Sequence, residues 1–177
     1  MEHEGFVLWF TGLPCSGKTT VADAVAQQLK ARGMKAERLD GDIVRKSLTR
    51  DLGFSKEDRD KNIERVTFVA KLLSRNGVAV LPAFVSPYIG ARDNARAETT
   101  NFIEVYVKCS VEECEKRDVK GMYKKAREGI IKEFTGVDDP YEEPPKPEIV
   151  VETDKETVEV STQKVLDYLN KRGFIKT

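Results

Sequence analysis

Apolar residues along this chain fall into two rhythms. Compact apolar runs lie at residues 6–10 (Phe-Val-Leu-Trp-Phe), 78–85 and 102–107, and shorter ones at 36–39 and 149–152. Each has the length of a strand, and 78–85 is so continuously apolar that it reads as one covered on both faces. Pro82 inside that run counts against a central position, because proline cannot donate to a sheet ladder. Between the runs the period changes to that of a helix. Residues 18–32 place Val21, Val25 and Leu29 on one face, and Gly33 is a natural C-terminal stop. Ser55 opens a long helix with the capping pattern Ser55-x-x-Asp58. Its stripe is Ile63, Val66, Ala70 and Leu73, and Gly77 ends it. A short helix is expected over 110–117, and Val158, Thr162, Val165 and Leu169 mark a C-terminal one. Strands alternating with helices predict an α/β domain with a mainly parallel five-stranded sheet.

Two stretches lack either rhythm. Residues 118–136 carry Gly121, Gly129 and Gly136 among many charges, and 138–147 is rich in Pro and Glu. Irregular segments of this length inside one domain are usually functional or disordered. The first reads as a lid and the second as an extended connector wrapping the surface. The 177 residues are otherwise most simply a single domain, 1–177, large enough to bury a core without disulfides.

Charge narrows the partners. Lys+Arg and Asp+Glu both number 30, so no global field points to nucleic acid or membrane, and an anion site must come from local clustering. Three cysteines, Cys15, Cys109 and Cys114, form no CxxC pair and imply a reducing compartment without a zinc site. The one histidine, His3, sits in a charged tail expected to fray, which makes histidine acid–base chemistry improbable. Residues 6–10 are too short for a signal or a span, so a cytoplasmic protein is expected.

Gly12-Leu13-Pro14-Cys15-Ser16-Gly17-Lys18-Thr19 matches G-x-x-x-x-G-K-S/T in full. Glycines let such a loop turn its N–H groups inward and let phosphate oxygens approach where a Cβ would block them. Lys18 can reach the β- and γ-phosphates, the Thr19 hydroxyl can hold Mg²⁺, and the following helix points its positive end at the same anions. A chance match in a Gly/Ser-rich turn would not fall between an apolar strand and an amphipathic helix, as this one does. The fold expectation is therefore a P-loop NTPase-like three-layer sandwich that binds ATP. Cys15 reads as a loop filler, with a redox role the less favoured alternative.

Asp40 and Asp42 stand at the carboxyl end of the second strand, the edge where open α/β sheets bind ligands. Without the P-loop, Asp40-Gly41-Asp42 would read as a plain turn. Beside it, either carboxylate could hold Mg²⁺ through water or accept a proton from an acceptor hydroxyl. Arg45, Arg59, Arg65, Arg92 and Arg96 follow, and guanidinium forks suit phosphate and sulfate oxygens.

Several blocks resemble, in order, those of the adenylylsulfate kinases. They are Asp40-Gly41-Asp42-Ile43-Val44-Arg45, Leu52-Gly53-Phe54-Ser55, Asp58-Arg59 with Asn62-Ile63 and Arg65, and Ala83-Phe84-Val85-Ser86-Pro87-Tyr88. Arg117-Asp118-Val119-Lys120-Gly121, Tyr123-Lys124-Lys125-Ala126-Arg127 and Phe134-Thr135-Gly136 continue the likeness, which runs from the P-loop to about residue 153. The resemblance implies transfer of the γ-phosphate of MgATP to the 3′-hydroxyl of adenosine 5′-phosphosulfate. It implies that Asp42, Arg45, Phe54, Arg59 and Asn62 bind that acceptor, together with Asp40, Val85, Ser86, Lys120 and Phe134, with Phe54 packing on the adenine. ATP would be held by residues 12–19 with Thr20, and by Arg117 and Thr153 near its adenosine. Lys18 and Asp42 would act in catalysis, and Ser86 takes the position of a phosphoserine. In-line transfer between two bound nucleotides needs no covalent step, and no histidine is available to activate that serine. A homodimer, and an ATP sulfurylase as functional partner, are further implications of the likeness.

The chain departs from the family pattern at Ile43, where Asn is usual, at Glu64, where Arg is usual, and at Glu133, where the lid usually has Gly. From Lys116 to Glu133 seven basic residues face three acidic ones. That run is either a solvated helix face or a basic flap that excludes water during transfer, with Gly121 and Gly129 as hinges. Two other readings remain open: a P-loop kinase for a nucleoside monophosphate or sugar acid, and a non-catalytic nucleotide-binding module. Against the latter, Lys18 and Asp42 are retained, and Asn170-Lys171-Arg172-Gly173 lacks the Asp of a guanine-binding motif.

Overall fold

The computed structural model describes residues 4–176; the expectation about His3 lies outside them. Five strands, β1 (Phe6–Thr11), β2 (Ala36–Asp40), β3 (Ala79–Ala83), β4 (Phe102–Lys108) and β5 (Ile149–Glu152), form one sheet in the order β2-β3-β1-β4-β5. Every neighbouring pair is parallel. Seven helices accompany them among the described residues: α1 (Lys18–Ala31), α2 (Gly41–Lys46), α3 (Lys56–Ser74), α4 (Ile89–Glu98), α5 (Val111–Arg117), α6 (Met122–Arg127) and α7 (Val158–Lys171).

The central strand explains the layering. All six residues of β1 are buried, and alternation sends them two ways. Phe6, Leu8 and Phe10 join a core with Val21, Val25 and Leu29 of α1 and Val165 and Leu169 of α7. Val7 and Trp9 join a second core with Ile63, Val66 and Ala70 of α3 and Ala95 of α4. A strand sandwiched by helices on both faces must be apolar throughout, which is why its sequence shows no alternation.

Pro82 does occupy an interior strand, since β3 lies between β2 and β1. Ala79 N–H donates to Lys35 on the β2 side and Phe84 N–H to Phe10 on the β1 side. Alternation therefore turns position 82 toward β1, where proline has no proton to give. The β1–β3 register accordingly pairs Val7 with Val80 and Phe10 with Ala83 and skips the residues between. The sheet tolerates one missing rung because both faces are packed.

Two helices break the expectation. The residues after β2 form α2, with the Asp40 carboxylate capping its first turn by accepting from Asp42 N–H, so the Asp-Gly-Asp segment is a helix start rather than a turn. α4 fills a stretch given no element. The segment 118–136 holds α6, and 138–147 is an extended connector without helix or strand. No described helix is long and apolar enough to cross a membrane.

Candidate active site

The loop after β1 lies at the strand ends beside the sheet's topological switch, where chain order reverses around β1. Gly12 is forced: a Cβ there would stand 2.4 Å from the Val107 carbonyl oxygen. Gly17 adopts φ +96 as the N-cap of α1 and supplies no side-chain cap, which leaves the first N–H groups of the helix for an anion. The Lys18 ammonium folds over the loop, donating to the carbonyls of Leu13 (2.7 Å) and Gly12 (3.1 Å), and burial holds its pKa down to about 8. The Thr19 hydroxyl donates to Asp40 Oδ2 at 3.0 Å. Arg38 steadies that carboxylate at 3.4 Å while also bonding Asp23 at 2.7 Å.

Arg117 and Thr153 reach the loop from its other side. Arg117 donates to Thr153 O at 2.8 Å and to Cys15 O at 3.3 Å, and the Thr153 hydroxyl donates to Ser16 O at 2.5 Å. A pair separated by 36 residues thus converges on the cradle. Cys15, with φ +64, packs against a small cluster of Cys109, Cys114 and Tyr123, and all three thiols are free. Cys109 and Cys114 flank the Ser110 cap of α5 in the N′ and N4 positions of a hydrophobic staple, which gives them a packing role.

On the β2 side, Asp42 forms an ion pair with Lys120 of the lid. Arg45 lies 4.3 Å from the centroid of the exposed Phe54 ring and donates to Gly53 O at 3.1 Å. Burial, and then the neighbouring Arg59 guanidinium, push Arg45 below its ordinary pKa. Arg45, which meets only backbone carbonyls and the Phe54 ring, is the guanidinium here that gains by receiving an anion, since Arg59 is already paired with Asp139. Asn62, one turn after Arg59 on α3, is buried with no hydrogen-bond partner for its Oδ1.

Ser86 differs from these. It is buried at φ +41; its Oγ accepts from the Trp9 indole N–H at 3.1 Å and lies 3.0 Å from the Thr11 hydroxyl and 3.1 Å from Phe84 O. Neighbouring Val85 accepts from Thr11 through its carbonyl at 2.8 Å.

The arginine set does not converge as a whole. Arg92 is buried against Glu104 at 3.1 Å, Arg96 pairs with Glu148, and Arg65 grips Asp51 at 2.6 and 2.8 Å. All three are engaged by carboxylates away from the cradle; only Arg92 is buried, and a buried guanidinium is stable only when its donors are met. Of that set Arg45 and Arg59 stand at the site, where Arg117 and Arg38 join them from other segments.

The lid is docked rather than loose. Tyr123 of α6 is buried, donates to Pro14 O at 2.8 Å and meets the Phe134 ring edge-on at 5.0 Å, while Lys124, Lys125 and Arg127 face outward. Within the basic run Lys124, Lys125 and Arg127 form a solvated helix face anchored by Tyr123, while Arg117 and Lys120 turn toward the cradle and Asp42. Sequence reasoning gave Tyr123 no role; a single aromatic amid lysines was the available signal. Arg38 and Asp139 were also missed, and nothing local marks them; Thr135 stood in a block resembling the family but was given no role.

The family model for adenylylsulphate kinase matches residues 4–152. A probable adenylyl-sulfate kinase of Pseudomonas aeruginosa is 66% identical over 166 residues, covering 94% of this chain and 78% of that protein. The adenylyl-sulfate kinase of Halothermothrix orenii is 58% identical, covering 98% and 94%. The structure of the Mycobacterium tuberculosis APS kinase in complex with AMPPNP and APS superposes with a TM-score of 0.91 at 41% identity, covering 95% and 99%. A complete phosphate cradle, a second basic pocket beside it and this agreement along nearly the whole chain place the protein in the adenylylsulfate kinase family.

Proposed function

We propose that this protein transfers the γ-phosphate of ATP to the 3′-hydroxyl of adenosine 5′-phosphosulfate, giving 3′-phosphoadenosine 5′-phosphosulfate and ADP. The observation that carries the reading is the adjacency of two different sites at one sheet edge. The cradle at 12–19 suits a polyphosphate, and the exposed Phe54 ring with Arg45 against it suits an anionic nucleotide, with the unpartnered Asn62 acceptor nearby on α3. The Phe54 face offers a platform for a base. The unmet Asn62 acceptor suits an exocyclic amine, and Arg45 suits the phosphosulfate oxygens.

The Thr19 hydroxyl and Asp40 carboxylate, 3.0 Å apart, are hard oxygen donors fit for Mg²⁺. No group of three or more potential His, Cys, Asp or Glu ligands occurs among the described residues, which suits an ion held largely by phosphates and water. When bound, Mg²⁺ supplies charge neutralisation on the transferring phosphoryl group. Lys18 orients the terminal phosphates and offsets their charge. Asp42, freed from Lys120, is placed to accept the hydroxyl proton. Lys120 is then available to the anionic acceptor as the lid closes out water.

Ser86 is assigned to support rather than to carry phosphate, since its hydroxyl is enclosed in hydrogen bonds. We also infer a homodimer, with an ATP sulfurylase supplying the acceptor; sedimentation of the purified chain tests the first. The defining experiment is ADP release coupled to a panel of acceptors. Turnover with adenosine 5′-phosphosulfate, and none with AMP or gluconate, is expected. The reverse pattern overturns the proposal.

A further inference from the structure

The connector at 138–147 has neither helix nor strand, yet its Tyr141-Glu142 step is fixed by bonds to Thr11, Pro87, Ile89 and Arg92. Tyr141 lays its ring along Tyr106, the centroids 6.1 Å apart, and the Arg92 guanidinium lies 5.6 Å from its centroid. Its hydroxyl is 2.8 Å from Thr11 Oγ1. Thr11 has a single hydroxyl proton, and Val85 O at 2.8 Å can only accept it, so Tyr141 is the donor in that pair. Burial pushes the Tyr141 phenol up to about 12, which keeps its proton in place at neutral pH. Beside it, Glu142 N–H donates to Pro87 O at 2.8 Å, and the Glu142 carboxylate accepts from Ile89 N–H at 2.8 Å. Arg92 donates both to Glu142 O and to Ser86 O.

These bonds close around residues 85–89, where the chain passes through Ser86 at φ +41. A residue with a Cβ keeps such a conformation only where its surroundings over-determine it. Ser86 is held from three sides, by the Trp9 indole, by the Thr11 hydroxyl and by Arg92, and the connector is bonded to the last two. We propose that Tyr141 is a positioning residue, which acts through Thr11 to fix the Val85–Ser86 backbone that the acceptor reading sets against adenosine 5′-phosphosulfate. The inference rests on that reading. A segment without regular structure thereby shapes one wall of the acceptor pocket, and does so from more than 50 positions away in the chain.

Tyr141→Phe keeps the ring against Tyr106 and Arg92 and deletes only the donor. It should raise the KM for adenosine 5′-phosphosulfate about fivefold, leave kcat within about threefold and leave the KM for ATP unchanged. A second readout needs no substrate. Trp9 is the chain's one tryptophan and its indole N–H donates to Ser86 Oγ, so a single NMR resonance reports how firmly that serine is held. Solvent exchange of this proton should quicken about tenfold in Tyr141→Phe. Glu142→Ala cuts the neighbouring tie to Ile89 and should move both readouts the same way; it replaces Tyr141→Phe if thermal melts find that variant unfolded. A lower melting temperature with both KM values and indole exchange unchanged would make Tyr141 a support of the connector alone. A higher KM for ATP with that for the acceptor unchanged would assign the hydroxyl to the cradle. Either result overturns the proposal. If the wild type turns over a different acceptor, the acceptor reading fails, while indole exchange still decides whether Tyr141 holds the 85–86 backbone.

Discussion

The cradle and the lid turn both close on the same site, but they are built differently. In the cradle, the contacts that set the loop's own turn are made within a few residues: Lys18 reaches back to Gly12 and Leu13, and Ser16 N–H donates to Leu13 O at 3.1 Å, with Arg117 and Thr153 added from afar. The lid turn, residues 133–139, is held by Arg59, whose bond to Thr135 spans 76 positions, and by Tyr123, whose bond to Pro14 spans 109. One is a backbone shape that a short motif specifies. The other is a set of side-chain bonds that exists only once α3, the lid and the cradle are packed. Local geometry shapes the cradle loop, whereas the lid turn depends on long-range bonds made by buried side chains, which form only in the packed fold.

The sharpest way to break this contrast is Lys18→Met. Activity should fall at least about a thousandfold in the coupled ADP assay, because charge neutralisation at the phosphates is lost. Stability should not fall with it. The folded pKa of Lys18 is lowered to about 8, so the fold disfavours the ammonium; that penalty is present at pH 7 and relieved as pH rises from about 8 toward the ordinary lysine value. The variant should unfold at equal or higher denaturant, by on the order of 1 kcal/mol, the figure being kept small because Lys18 is partly exposed. Nucleotide binding by the wild type should take up protons above pH 8, which calorimetry in buffers of different ionisation heat detects.

Phe54→Ala comes next. The acceptor KM should rise about tenfold or more, from lost stacking, with the ATP KM unchanged. Equal losses for both substrates would deny that two pockets exist.

Ser86→Ala should retain kcat within about threefold yet lose about 1–3 kcal/mol of stability, since the buried Trp9 N–H loses its acceptor. Loss of turnover with unchanged stability would restore a phosphoserine route.

Smallest is Glu133→Gly. Glu133 sits at φ +55, a conformation costly for a residue with a Cβ, where the family pattern has glycine. Relief of about 0.5–1 kcal/mol is expected in urea melts. Destabilisation would mean that the glutamate side chain contributes something its backbone angle does not reveal.

Much of the fold was legible. The residues 149–152 form β5 as expected, α1 and α7 follow their apolar stripes, and Ser55 accepts from Asp58 N–H as the capping pattern required. α4 was not legible, because its inward positions include Arg92 rather than a hydrophobe, so the polar pattern conceals a buried face. α2 is too short, with only Val44 buried, for any period to show. The arginines could be nominated as a set but not sorted. Whether a guanidinium faces a pocket or a glutamate depends on which strand passes beside it.

By itself, then, the amino-acid order determined the alternating layers, the phosphate cradle and the resemblance of the acceptor blocks, since each depends on residues close together in the chain. Only the tertiary structure decided that Ser86 is enclosed, that Arg92 and Arg96 are engaged by carboxylates away from the cradle, and that Arg59 holds two distant segments together. Those outcomes turn on which donors meet which acceptors after the sheet has brought remote residues within hydrogen-bond reach, and no local pattern records such pairings.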